Sequence, residues 1–233
     1  MSTGKTIPKV VPWGRSMNEY VRMFALSEAD RGKSILGCGD GPASFNAECR
    51  AVGGRVVSVD PVYQYSAEAI ARHIDEARDW VVANTLTNMD AYVWDEMKSV
   101  ENLVEVRTKA MRHFLGDYVA GGRPYAAAQL PDLPFVDGQF DLALCSHFLF
   151  TYSAIISTEM HVSFLLESLR VAGEVRVFPI LDMDGGPSPH VEPVREALAA
   201  AGFSAHIERA PYEYQKGGNE MLRVLPGADS TVK

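Results

Sequence analysis

Cysteine is scarce in this chain: Cys38, Cys49 and Cys145 are the only three in 233 residues. They are odd in number and lack metal-ligand spacing, which excludes a disulfide framework or a zinc site and suits a reducing, cytoplasmic compartment. Long apolar runs are also missing. No uninterrupted stretch approaches the ~18 residues of a membrane span, and the opening "MSTGKTIPKVVPWG" has two lysines but no apolar signal-peptide core. A soluble protein is therefore expected. Positive charge is in deficit, with 22 Lys and Arg against 30 Asp and Glu for a net charge of -8. Such a surface repels nucleic acid and anionic membranes at long range. The expected partner is a small molecule recognised locally.

What the chain does have is enough apolar content, 47% against 22% charged, to bury one sizeable core. One domain over residues 1–233 is expected. Ser16 and Glu19 have capping-box spacing, and the apolar residues that follow predict a helix over 17–29. "SILG" reads as a short buried strand, "PASFNAECRAVGG" as a helix stopped by Gly53 and Gly54, and "RVVSVD" as a second strand. This is a βαβ unit, and it implies a parallel sheet. Strands follow at "RPYAAAQL", "FDLALCSHFLF", "GEVRVFPI", "SAHIER" and "EMLRVL", with helices at "TEMHVSFLLESLRVA" and "VEPVREALAAAGF". The rhythm breaks at about 63–122, a stretch far longer than a crossover requires. Its content is helical, in "SAEAIARHIDEARDWVVANT", "MDAYVWDEMKS" and "VENLVEVRTKAMRHFLGDYV", so a two- or three-helix insert is expected. Its Trp80, Tyr92, Trp94, His113 and Phe114 either line a pocket or pack the insert onto the sheet. The tail "PGADSTVK" reads as frayed.

The stretch "SILGCGDGPASF", 34–45, sets Gly37, Gly39 and Gly41 between a strand and a helix. Glycine there permits φ > 0 and lets a ligand approach the backbone without meeting a Cβ. Exposed N–H groups at that spot suit a carboxylate or phosphate. Asp60 ends the next strand about 20 residues on, where an acidic side chain reaches the hydroxyls of a bound ribose. A tight turn and a helix cap are the plainer alternatives; together the two elements point to a nucleoside-bearing cofactor. The spacing G-x-G-x-G departs from the dinucleotide form G-x-G-x-x-G.

It resembles motif I of the class I S-adenosylmethionine-dependent methyltransferases. "LPDLPFVDGQFDLALCSHFL" is similar to the stretch of that family leading into the fourth strand, and "LRVAGEVRVFPI" to its fifth-strand region. The wording "ILGCGDGPASFNAE", "VVSVDP", "LALCSHFLF" and "YQKGGNEML" is similar to a group of bacterial methyltransferase-like proteins of unknown substrate. The resemblance implies an α/β fold with a Rossmann-like seven-stranded sheet, its last strand antiparallel, and a helical insert after the second strand. It also implies S-adenosylmethionine as cofactor, its methionine part against Gly37, Cys38 and Gly39 with Asp40 and Gly41 in the same turn. Asp60 would hold the ribose, Gln129 and Leu130 would flank the adenine, and Ser146 and His147 would stand at the methyl-transfer end. Two positions depart from the family pattern: Ile35 stands where an acidic residue is common, and Gln129 where another reaches the adenine amino group. The ammonium end of the cofactor then needs a different partner, with Asp40 and Tyr20 as candidates.

Methyl transfer needs alignment more than a fixed catalytic group. His147, after the fourth strand, is the expected base, since the carboxyl ends of parallel strands open onto the ligand crevice; packing against Phe148 and Phe150 is its plainer role. Tyr212, Tyr214, Gln215, Lys216 and Asn219 surround a Gly217–Gly218 turn and either shape a substrate pocket or form a hairpin tip. Asp182, Asp184 and His190 read as turn residues rather than metal ligands, and His73, His113 and His161 as surface or packing residues. The leading expectation is methyl transfer to a small-molecule acceptor. A non-catalytic S-adenosylmethionine binder or regulator and a nicotinamide-dependent oxidoreductase are the alternatives.

Overall fold

Ser16 opens the first helix as expected. Its hydroxyl accepts from the Glu19 N–H, and the Glu19 carboxylate accepts from the Ser16 N–H at 3.0 Å. The structure, a computed structural model, describes residues 11–121 and 124–227; the tail from 228 on lies outside them. Helix α1 (Met17–Met23) is shorter than its apolar pattern predicts, because Ala25 takes φ +46° and Ser27 starts a second capped turn, α2 (Glu28–Arg31). Arg176 explains the break. Its guanidinium lies buried under this corner and takes the Phe24 carbonyl at 2.7 Å and Asp30 Oδ2 at 3.3 Å. A continuous helix would have kept that carbonyl for itself.

The remaining elements are β1 (Ser34–Cys38), α3 (Phe45–Ala51), β2 (Arg55–Val59), α4 (Ala67–Thr87), α5 (Val100–Gly121), β3 (Tyr125–Ala126), β4 (Leu142–Ser146), α6 (Thr158–Val171), β5 (Val175–Phe178), α7 (Val191–Ala200), β6 (Phe203–Arg209) and β7 (Glu220–Pro226). They form one seven-stranded sheet in the order β3-β2-β1-β4-β5-β7-β6. The first five strands in that order run parallel, and β7 lies antiparallel between β5 and β6. This is the α/β sheet that the resemblance implied. Side chains alternate between two cores. Ile35, Leu142, Leu144 and Phe178 face α1 and α3, while Leu36, Cys38, Ala143, Cys145, Val175 and Val177 face α6 and α7. Both faces are covered, as an all-parallel centre requires.

Two expectations fail on length. The strand expected at "RPYAAAQL" pairs only at Tyr125–Ala126, opposite Ser58 and Val59, and the chain then leaves the sheet. In the insert, α4 and α5 form as expected, but the middle segment makes only a single 3-10 turn at Met89–Ala91. Tertiary bonds hold it open: Val93 N–H donates to the Tyr214 carbonyl at 2.7 Å, Lys216 N–H donates to the Ala91 carbonyl at 2.9 Å, and Tyr92 stacks on Tyr214 at 4.8 Å. Phe114 packs with Tyr63, Tyr118 and Tyr125, and Trp80 is 56% exposed.

One buried ion pair locks the insert to the rest. Arg107 of α5, fully buried, donates through Nη1 to both Glu19 oxygens at 2.5 and 2.6 Å, and the Tyr212 hydroxyl, from the β6–β7 connection, donates to Glu19 Oε1 at 2.9 Å. Burial alone would raise the Glu19 carboxyl, but the charge and hydrogen bonds of Arg107, with the Arg15 charge and the Ser16 N–H, together outweigh it and hold it at about 2. Arg107→Met strands that carboxylate in the core and should cost about 3–5 kcal/mol in urea unfolding. Removing Glu19 as well should recover most of the loss.

Candidate active site

Strand β1 ends in the glycine turn, and that turn is built around an acid. The Asp40 carboxylate folds back over Gly37, so that a Cβ on Gly37 would sit 1.8 Å from Asp40 Oδ2. Ser58 of β2 donates to the same oxygen at 2.5 Å, and the Tyr20 hydroxyl of α1 donates to Oδ1 at 2.8 Å. Tyr20 is itself fixed by stacking on Phe45 at 4.3 Å. Burial pushes the Asp40 carboxyl up to about 6, against the pull of these two hydrogen bonds and with a push from the Asp60 charge.

Asp60 closes the turn from the other side. Its Oδ2 accepts the Gly41 N–H at 2.9 Å and its Oδ1 the Val62 N–H at 2.8 Å, so it caps the short turn Pro61–Gln64 and also ties β2 to the glycine loop. Burial raises this carboxyl, opposed by the two N–H donors. Gly39 and Gly41 take φ +69° and +51°, the left-handed region open to glycine. A Cβ on Gly39 would also press on the Phe148 ring at 3.3 Å.

Above this turn lies a cavity of about 470 Å³ at the carboxyl edge of β1, β2 and β4. Every residue expected to hold the cofactor or act as base reaches its wall except Gly37 and Cys38, whereas none of Tyr212, Tyr214, Gln215, Lys216 and Asn219 does. Gly39, Asp40 and Gly41 form one side, Asp60 the next, Gln129 and Leu130 a third, and Ser146 and His147 the far end. Gly37 is bare to admit the Asp40 carboxylate, and Cys38 is buried in the core against α6 and α7. Ile35 likewise points into the core, beside Tyr20 and Phe45. None of Trp80, Tyr92, Trp94, His113 and Phe114 lines the cavity.

His147 stands in the left-handed region, φ +49°, held by its N–H to the Phe178 carbonyl at 2.6 Å and by Nδ1 against Ser146 Oγ at 3.0 Å. Burial, with the charges of Arg15 and Arg107, pushes its imidazolium well below the usual histidine range, so the ring is neutral. Asn219 donates to Glu213 and Asp182 accepts the N–H groups of Asp184 and Gly186, so both belong to turns.

Two wall residues depart from the sequence reading, in which Arg15 is not singled out and His73 is expected to be a surface or packing residue. Arg15 enters from the segment before α1, and His73 from the second turn of α4; Arg15 Nε and His73 Nε2 are buried without a hydrogen-bond partner. No local pattern marks either one, since each acquires its surroundings only when the N-terminal segment and the insert close over the sheet edge. Val11, Pro12 and Trp13 complete that roof, and Ile155, Ile156, Met160 and Phe164 make the rest of the wall apolar.

No protein-family model matches the chain. It is 32% identical over 211 residues to the uncharacterized protein MJ0045 of Methanocaldococcus jannaschii, covering 90% of this chain and 93% of that one. Among solved structures, the PH0226 protein of Pyrococcus horikoshii superimposes with a TM-score of 0.48 at 13% identity, covering 90% of each chain. Magnesium protoporphyrin IX methyltransferase of Synechocystis, crystallised with S-adenosylmethionine, gives 0.46 at 13% identity, over 91% of this chain and 78% of that one.

The Asp40 geometry has two measurable consequences. Gly37→Ala drives a methyl group into the carboxylate and should cost about 1–3 kcal/mol in chemical denaturation. Because the folded Asp40 carboxyl lies above its unfolded value, its share of stability is full below pH ~4 and is lost as pH rises through about 6. Asp40→Asn should flatten that fall in a pH series of melting curves; an unchanged slope would mean that Asp40 titrates normally.

Proposed function

The chain belongs to one family with the uncharacterized M. jannaschii protein, and from the geometry of its cavity we infer that it catalyses S-adenosylmethionine-dependent methyl transfer to a small-molecule acceptor. The observation that carries this reading is the bond from the Gly41 N–H to the Asp60 carboxylate. It brings the glycine turn and the acidic end of β2 into one wall, facing Ser146 and His147 across the cavity.

The residues present fit such a cofactor. Each Asp60 oxygen accepts one backbone N–H and keeps lone-pair capacity for a ribose hydroxyl. Leu130 and Phe148 offer apolar surface to a flat base, and the Gln129 side-chain carbonyl is able to accept from an amino group. Asp40 answers the departure at Ile35: its carboxylate lines the cavity and meets the ammonium group that Ile35 has no means to pair. An ammonium beside it favours the ionised form, so binding draws the Asp40 proton off.

The cofactor, when bound, supplies a methyl group already activated on a sulfonium, and the protein supplies alignment and a dry site. Ile155, Ile156, Met160 and Phe164 on the wall and Val11, Pro12 and Trp13 above it present apolar surface to the bound molecule. Neutral His147, oriented by Ser146, and His73, with its free Nε2, are the nitrogens able to take a proton from an acceptor. The cavity is of ligand size, which favours a small acceptor over a macromolecular one.

Isothermal titration with S-adenosylmethionine, S-adenosylhomocysteine and NADH tests the reading. The first two should bind and NADH should not. Asp60→Ala should weaken both roughly 10- to 100-fold through loss of the ribose bonds, and unchanged affinity would remove Asp60 from the site.

A further inference from the structure

Most polar side chains of the cavity wall are already engaged with one another. Tyr20 and Ser58 hold Asp40, two backbone N–H groups hold Asp60, and Ser146 holds His147. Arg15 is different. Its Nη1 donates to the Trp13 carbonyl at 3.2 Å, its Nε is shut off from solvent with no partner, and among the described residues no carboxylate pairs with it.

Charge accumulates behind it. Arg107 faces Glu19 through Nη1 alone, leaving its Nε and Nη2 buried and unpartnered, and the Tyr214 hydroxyl is buried and unpartnered as well. Of these donors only Arg15 reaches the cavity wall; Arg107 and Tyr214 lie outside its lining. Asp40 and Asp60 on the same wall are already held by other donors, and neither pairs with Arg15. Guanidinium only donates hydrogen bonds, so its missing partner is an acceptor. Burial and Arg107 together already depress the Arg15 guanidinium, a cost that an anion removes.

We infer that the end of the cavity at Arg15 is a subsite for a carboxylate. The inference rests on the methyltransferase reading only for the identity of the ligand, because two molecules in that reaction bring this group: the methionine end of the cofactor and a carboxylate-bearing acceptor. Arg15 pairs with the carboxylate.

The test titrates wild type, Arg15→Gln and Arg15→Lys with S-adenosylhomocysteine and with decarboxylated S-adenosylmethionine, and titrates benzoate into protein saturated with S-adenosylhomocysteine. If the cofactor is the source, Arg15→Gln weakens S-adenosylhomocysteine roughly 10- to 100-fold and leaves the decarboxylated compound unchanged. If the acceptor is the source, both nucleosides bind the variant as they bind wild type, whereas benzoate binds saturated wild type and not the variant. In either case Arg15→Lys recovers part of the loss, and matched melting curves show that the variants are folded. Equal weakening of both nucleosides, or no dependence of any probe on Arg15, overturns the subsite. Should neither nucleoside bind wild type, the cofactor reading fails on its own. Benzoate titrated into the free protein then decides: binding that Arg15→Gln abolishes upholds the subsite, and no binding overturns it.

Discussion

The carboxylate of Asp40 is the constraint around which this sheet edge is organised. It occupies the space that a side chain at Gly37 would need, and it is held from two directions by Tyr20 of α1 and Ser58 of β2. An acid buried this far is costly unless its oxygens are bonded, and these two hydroxyls meet that need. The consequence is geometric. The first helix, the glycine turn and the second strand cannot shift independently.

Adjacent residues of α1 carry this coupling outward. Tyr20 reaches inward to Asp40, while Glu19 reaches the other way to Arg107 and Tyr212. A helix of two turns thereby links the glycine loop, the inserted helix α5 and the β6–β7 connection. The ion pair is fully desolvated, so its value lies less in net stability than in a unique placement of the insert. That placement carries His73 of α4 into the cavity wall. The polarity of the site thus follows from how the insert is anchored.

Much of the fold was legible because its signals are local. The capping box at Ser16, the glycines at 37, 39 and 41, and the short apolar strands each act within a few residues, and the strands fell where the periodicity put them. The failures came where long-range bonds overrode local preference. Arg176 took the Phe24 carbonyl and broke a helix that its apolar stripe would have continued, and the β6–β7 connection drew 92–93 into extended pairing where helical spacing pointed elsewhere.

The candidate site divides along the same line. By itself the sequence determined the glycine turn, Asp60 and His147 as parts of one crevice, since the βαβ rule brings strand ends together wherever such a pattern occurs, and the family resemblance added Gln129, Leu130 and Ser146. Only the tertiary structure decided that Gly37 serves Asp40, that Ile35 faces the core, and that Arg15 and His73 enter the wall. Those assignments depend on which buried groups find partners across 20 to 90 residues of chain, and hydrogen-bond and charge satisfaction at that range leaves no periodic trace in a sequence.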